Sequence, residues 1–290
     1  MSARSKERAG GYHLGDVDTV ISVEDVQREA EKLRVAVSAD ELHGLARGKP
    51  FVSIEGLRAG YGNMEILHDF TLHVAKGQSL CLIGPNGAGK STVLHSIFGF
   101  TRIFDGAIFV GEGAARRNVT HLRADRTLKE AGIAYILQDK SVFPDMTVEE
   151  NLWMGGYLLG SHDAAKAAAE KVFAKYDRLA ARRSHKARVL SGGERRLLEI
   201  SRALVMRPEV LLVDEPSIGL EPRFIDMVFE ILDDLQHKEG KTILMVEQNA
   251  KKGLEFADLG YVLVSGELAL AGSGDELLEN PEVGKLFLGG

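Results

Sequence analysis

Apolar and polar residues alternate over 51–57 and again over 70–74. This period of two predicts a pair of antiparallel strands, each with one buried face. Unbroken apolar runs carry a different meaning, because a strand covered on both faces has no polar side to present. Residues 79–83 (Ser-Leu-Cys-Leu-Ile) and 209–213 (Glu-Val-Leu-Leu-Val) are such runs. Further strands are predicted at 107–110, 132–137, 241–246 and 261–264, with Ser265-Gly266 as a hairpin turn. Helical patterns fill the intervals: 91–98, a helix opening at 146–152 with Thr147 as cap and Glu150 in the capping-box position, and an Ala-rich stretch from Ser161 to about Leu179. The remaining helices are expected at 195–204, 222–238, 250–256 and around 275–278. Strands alternating with helices predict an α/β fold with a mainly parallel sheet, joined by the antiparallel pair as a small β subdomain. The mainly helical stretch at about 139–201 reads as an inserted subdomain.

Residues 1–48 do not share this pattern. The segment 1–15 is polar and Gly-containing, and is expected to be disordered. Ser22-Val23-Glu24-Asp25 resembles a capping box and opens a helix to about Val37, with Val23, Val26, Ala30, Leu33 and Val37 forming one thin apolar stripe. Ser38-Ala39-Asp40-Glu41 caps a second short helix ending near Gly44. A docking arm and a loosely attached extension both fit, since a weak stripe on a short helix carries little energy alone. Gly48-Lys49-Pro50 punctuates the start of the main domain, expected over 49–290.

Composition narrows the function classes. Of 290 residues 44% are hydrophobic and 27% charged, which is ordinary for a soluble chain. The net charge of −6 comes without a basic stripe, so nucleic acid is not the expected partner. A single cysteine, Cys81, excludes an internal disulfide and, lying in an apolar strand, is expected in the core. No apolar run approaches the roughly 20 residues of a membrane-spanning helix, and the charged N-terminus does not read as a secretory signal. Work at a membrane would therefore require docking onto other chains.

The chemistry concentrates at strand ends. Gly84-Pro85-Asn86-Gly87-Ala88-Gly89-Lys90-Ser91-Thr92 fits the phosphate-binding pattern G-x-x-x-x-G-K-[S/T]. Glycines let the backbone curl around phosphates, Lys90 reaches the β/γ-phosphates, and the Ser91 hydroxyl suits Mg²⁺. The strand before the loop and the helix after it put a positive helix end at the anion, so the core reads as a P-loop NTPase. Tyr61, between Gly60 and Gly62 upstream, is a candidate platform for a nucleotide base. Gln138, just beyond a predicted buried strand, is a candidate contact for Mg²⁺ or water. Ser191-Gly192-Gly193-Glu194 opens a helix and forms a second anion-binding element. Asp214-Glu215 ends a buried strand, where α/β folds place ligands. There Asp214 suits a water-mediated Mg²⁺ contact, and Glu215 can polarise an attacking water.

From about Phe51 to Gly290 the chain resembles the ATP-binding cassette ATPases of membrane transporters. The resemblance rests on loop 84–92, Gln138, the signature Leu190-Ser191-Gly192-Gly193-Glu194, and Leu211-Leu212-Val213-Asp214-Glu215-Pro216 with its continuation through Pro222. It is closer to the branched-chain amino-acid importer class through 146–152, through Val246-Glu247-Gln248-Asn249-Ala250 and through the ending Leu286-Phe287-Leu288-Gly289-Gly290. Most cassette ATPases carry His where this chain has Gln248, and that subclass commonly carries Gln. The resemblance implies ATP and Mg²⁺ as ligands, with Tyr61 stacking adenine and Gln138 sensing the γ-phosphate. It also implies Glu215 as general base or water orienter, and Gln248 as a donor to the γ-phosphate. It implies a head-to-tail pair of ATPase subunits, identical or paralogous, with each ATP held between the phosphate loop of one and Ser191–Glu194 of the other. Transmembrane permease subunits would dock around Gln138 and 142–146. A solute-binding protein would act indirectly, and the chain would lie peripherally on the cytoplasmic face of the inner membrane. Importers of urea or short amides share the pattern, and lipid or lipopolysaccharide transporters and non-transport cassettes are the rival readings. The extension 1–48 is outside the family pattern.

Overall fold

In the computed structural model the described residues are 37–138 and 141–288. The helix expected from Ser22 to Val37 falls outside them, apart from its last residue. The first described element is helix α1 (Ala39–Leu45), closed by a reciprocal capping box between Ser38 and Glu41. Strand β1 (Pro50–Tyr61) pairs antiparallel with β2 (Met64–Ala75), Leu57 opposite Phe70. Both strands run well past the alternating stretches that predict them. The reason is local: register shifts on either side of Leu57 interrupt the inward–outward alternation while pairing continues.

Strand β3 (Ser79–Ile83) leads into helix α2 (Lys90–Phe98), then β4 (Arg102–Val110) and the two-residue strand β5 (Arg117–Asn118). Helix α3 (Ala124–Ala131), which the apolar pattern does not announce, precedes β6 (Ile133–Ile136). Helices α4 (Val148–Gly155), α5 (His162–Lys175), α6 (Asp177–Ala180) and α7 (Gly192–Leu204) follow. The Ala-rich helix expected to run to Leu179 breaks at Tyr176, whose φ of −124° and ψ of 87° leave the helical region. The chain then alternates β7 (Val210–Asp214), α8 (Pro222–His237), β8 (Thr242–Val246), α9 (Ala250–Phe256), β9 (Leu259–Val264), β10 (Glu267–Ser273) and α10 (Gly274–Glu279).

Two sheets result. The smaller has the order β2-β1-β4-β5, and its pairs are all antiparallel. The larger has the order β10-β9-β3-β8-β7-β6, parallel except for the β9–β10 hairpin. Every residue of β3, β7, β8 and β9 is buried. Alternate side chains of these strands enter different cores. Leu80, Leu82, Leu212 and Leu244 pack with Val52, Ile54 and Phe70 of the antiparallel sheet. Cys81, Ile83, Leu211, Val213 and Met245 pack with Val228 and Leu232 of α8 and Leu254 of α9. Cys81 is a free thiol in that second core, where burial pushes its pKa up. A third core, with Val148, Leu152, Ala169, Phe173 and Leu198, joins α4, α5 and α7.

One turn ties the antiparallel sheet to the phosphate-loop region by backbone hydrogen bonds. The Gly266 amide donates to the Ala88 carbonyl at 2.9 Å, and the His68 amide donates to the Gly266 carbonyl at 3.0 Å. A Cβ on Gly266 would lie 1.8 Å from the Ile66 carbonyl oxygen, so the seam admits only glycine.

Candidate active site

Strand β3 lies between β8 and β9, and its C-terminal end delivers residues 84–92 to the edge of the sheet where parallel strands present ligands. Gly84 takes φ +144°, and a Cβ there would come within 2.1 Å of the Leu263 carbonyl oxygen. At Gly87, φ is +82° and a Cβ would meet nothing within 4 Å, so the loop opens outward at its tip. Pro85 accepts from the Ala88 amide, which closes the loop. No protein acceptor is found for the amides of Asn86, Gly87, Gly89, Lys90 or Ser91 among the described hydrogen bonds. These donors lie at or just before the N-terminus of α2, whose dipole adds positive potential. Thr92 is buried one position further on.

Lys90 is also buried, and its ammonium donates to the carbonyls of Gly84 at 2.8 Å and Pro85 at 2.9 Å. Burial lowers its pKa, while Glu215, Cys81 and Asp214 act in the opposite sense. The Ser91 hydroxyl donates to Asp214 Oδ1 at 3.1 Å, and the Tyr135 hydroxyl donates to Asp214 Oδ2 at 2.7 Å. Gln138 does not reach Asp214; its amide donates to Glu215 Oε2 at 2.8 Å. Glu215 holds φ 43°, a left-handed conformation uncommon outside glycine, and its amide is fixed to the Val246 carbonyl at 2.8 Å. Burial raises the Glu215 pKa, the Asp214 charge adds to this, and Lys90 opposes it. Lys90, Ser91, Gln138, Asp214 and Glu215 therefore form one constellation.

Tyr61 ends β1 and lies across α2, its hydroxyl hydrogen-bonded to His95 Nδ1 and the two rings edge to face. The residue is 43% exposed. Gln248 is exposed at the end of β8, beside a buried residue that the sequence reading passed over. That residue, Glu247, accepts from the Ser217 hydroxyl at 2.7 Å and the Asn249 amide at 2.9 Å, tying the Asp214–Glu215 turn to the Gln248 turn. Local spacing likewise assigns no role to Tyr135 or His95. Neither stands in a recognisable spacing, because their partners lie far along the chain.

Ser191, Gly192, Gly193 and Glu194 lie elsewhere. Ser191 caps α7, accepting from the Glu194 amide at 3.2 Å, and Glu194 Oε2 accepts from the Ser191 amide at 2.9 Å. Arg182 also holds Glu194, and these partners keep its carboxyl below the usual carboxylate range. Among the described residues no hydrogen bond joins 191–194 to the phosphate loop.

A polyphosphate with a divalent cation fits the first constellation. The free amides and the buried ammonium match phosphate oxygens, and the Ser91 hydroxyl beside the Asp214 carboxylate offers hard oxygen ligands. No cluster of three His, Cys, Asp or Glu that could bind a metal by itself is present among the described residues. Magnesium suits that limit, since it keeps several waters and shares substrate phosphates.

Fold and loop together define a phosphate-loop nucleotide hydrolase. The chain belongs to the ABC transporter family, whose sequence profile matches residues 67–218. As a member it is an ATP-binding cassette that hydrolyses ATP. It is 40% identical over 240 residues to the high-affinity branched-chain amino acid transport ATP-binding protein BraG of Pseudomonas aeruginosa, covering 82% of this chain and 100% of that one. It is 38% identical over 233 residues to the probable branched-chain amino acid transport ATP-binding protein LivF of Archaeoglobus fulgidus, covering 80% and 96%. Among solved structures it superposes on a nucleotide-free ATP-binding cassette from an ABC transporter with a TM-score of 0.72 at 26% identity, covering 82% and 98%.

Proposed function

We propose that this chain is the ATP-hydrolysing subunit of an importer for branched-chain or other hydrophobic amino acids. One observation carries the reading: two relatives named for branched-chain amino acid transport align over 80% or more of this chain at 38–40% identity. The division into an extension at 1–48, a cassette at 49–290 and a helical subdomain at about 139–201 belongs to the same proposal.

In this reading Tyr61 stacks the adenine, and the amides of residues 84–92 with the Lys90 ammonium bind the phosphates. Ser91, Asp214 and Gln138 would hold Mg²⁺. The metal, when bound, supplies positive charge to the phosphate oxygens. Glu215 orients the attacking water or takes its proton, and its raised pKa makes it a stronger base than an ordinary glutamate. Gln248 donates to the γ-phosphate. Ser191–Glu194 belong to the partner's site: a helix N-terminus with no hydrogen bond to its own phosphate loop among the described residues is free to complete another chain's. Two such chains, identical or paralogous, close head to tail on ATP and open after hydrolysis. No described helix is long and apolar enough to cross a membrane. In the same reading the subunit attaches peripherally, at the cytoplasmic face, to permease subunits served by a solute-binding protein.

The test is co-expression with two multi-spanning subunits and the cognate solute-binding protein in vesicles. Leucine, isoleucine or valine should stimulate ATPase activity several-fold. Stimulation by urea or a short amide in their place would move the assignment to that importer class. Purification without any multi-spanning subunit would overturn it.

A further inference from the structure

Tyr135 has a role that its packing does not explain. Its ring lies against Phe98, Phe100 and His95, with centroids 5.5, 6.0 and 5.6 Å away. A phenylalanine would make all three contacts. The hydroxyl is the excess, and a part-buried hydroxyl without a partner costs free energy. Its one hydrogen bond is to Asp214 Oδ2, at 2.7 Å. The opposite oxygen of the same carboxylate accepts from Ser91, at 3.1 Å. Asp214 is thus gripped between a hydroxyl of the phosphate loop and a hydroxyl of the neighbouring strand β6. Both donors are neutral. Lys90, the nearby cation, spends its hydrogen bonds on the carbonyls of Gly84 and Pro85 instead. Held at both oxygens, the carboxylate loses its rotational freedom.

We infer that Tyr135 is a positioning residue for the metal step: its hydroxyl fixes the Asp214 carboxylate in the orientation that receives hydrated Mg²⁺ against Ser91. The inference rests on the assignment of Asp214 and Ser91 to Mg²⁺ given above. The arrangement has a physical logic. Strand β6 pairs in parallel with β7, with Tyr135 opposite Leu212, two residues before Asp214. The phenol spans that interval, so the carboxylate is set by a rigid sheet and not by a loop.

The test is the Mg²⁺ dependence of nucleotide binding, read from a fluorescent, slowly hydrolysed ATP analogue titrated with and without EDTA. Tyr135→Phe should leave the affinity in EDTA and the melting temperature nearly unchanged. It should raise the Mg²⁺ concentration for half-maximal binding by about tenfold or more, the size of one lost hydrogen bond to a charged group. Phe98→Leu, which disturbs the same aromatic cluster but spares the hydroxyl, should lower the melting temperature without moving the Mg²⁺ requirement. An unchanged requirement in Tyr135→Phe would overturn the inference. So would an equal shift in Phe98→Leu, which would make the effect one of packing. Asp214→Asn separates the two levels of failure. A normal Mg²⁺ requirement there would sink the metal assignment and this inference with it. A shift there with none in Tyr135→Phe sinks the inference alone.

Discussion

Glu215 and Gln248 end adjacent strands, β7 and β8, but carry opposite acid–base character. Burial and the Asp214 charge raise the Glu215 pKa, so a catalytic carboxylate at this position loses its active, ionised form as pH falls through that raised value. The acid limb of kcat/KM should therefore lie above the ordinary glutamate value of about 4.3. Glu215→Gln should retain ATP binding and lose turnover by two orders of magnitude or more, and steady-state phosphate release checks this. An amide at position 248 does not titrate. Gln248→His should add a step between pH 6 and 8 that the parent profile lacks. A parent step at about pH 6.5 that vanishes in Gln248→Ala would count against the assignment. Lys90→Ala should weaken nucleotide binding by tenfold or more in the same fluorescence titration. The residues legible beforehand were those whose chemistry is written in local spacing, from Gly84 to Thr92 and from Ser191 to Glu194. Tyr135, His95 and Glu247 were not. Each acts through a partner brought near only by sheet pairing or helix docking, as Tyr135 is across 79 positions to Asp214.

Helix α4 illustrates what an element can announce about itself. The Thr147–Glu150 capping box was legible because both halves lie within one turn, and both of its hydrogen bonds form. The role of Asn151 was hidden. It is fully buried and holds the preceding loop through hydrogen bonds with Phe143 and bonds to the carbonyls of Met146 and Thr147. Asn151→Ala should cost about 2 kcal/mol in chemical denaturation, with nucleotide affinity unchanged. A normal midpoint would show that the loop holds itself. The break at Tyr176 and the extra residues of β1 and β2 were illegible for a related reason. Alanine supports helix on either side of position 176, and a bulged strand keeps pairing after its alternation slips.

At the scale of the whole molecule the fold class follows from strands alternating with helices. Which strands are neighbours does not, because parallel pairs are joined through long crossovers that do not name the partner strand. The assembly prediction belongs here: Glu215→Gln with ATP and Mg²⁺ should double in mass by light scattering, and should remain monomeric with ADP. The order of β3 in its sheet has a consequence for synthesis. The strand ends at residue 83, and the strands on its two sides begin at 242 and 259. The turn that latches Ala88 is at Gly266. At about 5–20 residues per second the ribosome needs on the order of ten seconds or more to supply those neighbours. Throughout that time an apolar strand, Leu80-Cys81-Leu82-Ile83, has both edges unpaired. A chain stopped at Gly240 should therefore aggregate and should bind no nucleotide, although it carries the entire phosphate loop. Until residues 242–266 are made, the phosphate loop lacks the two strands and the turn that hold it.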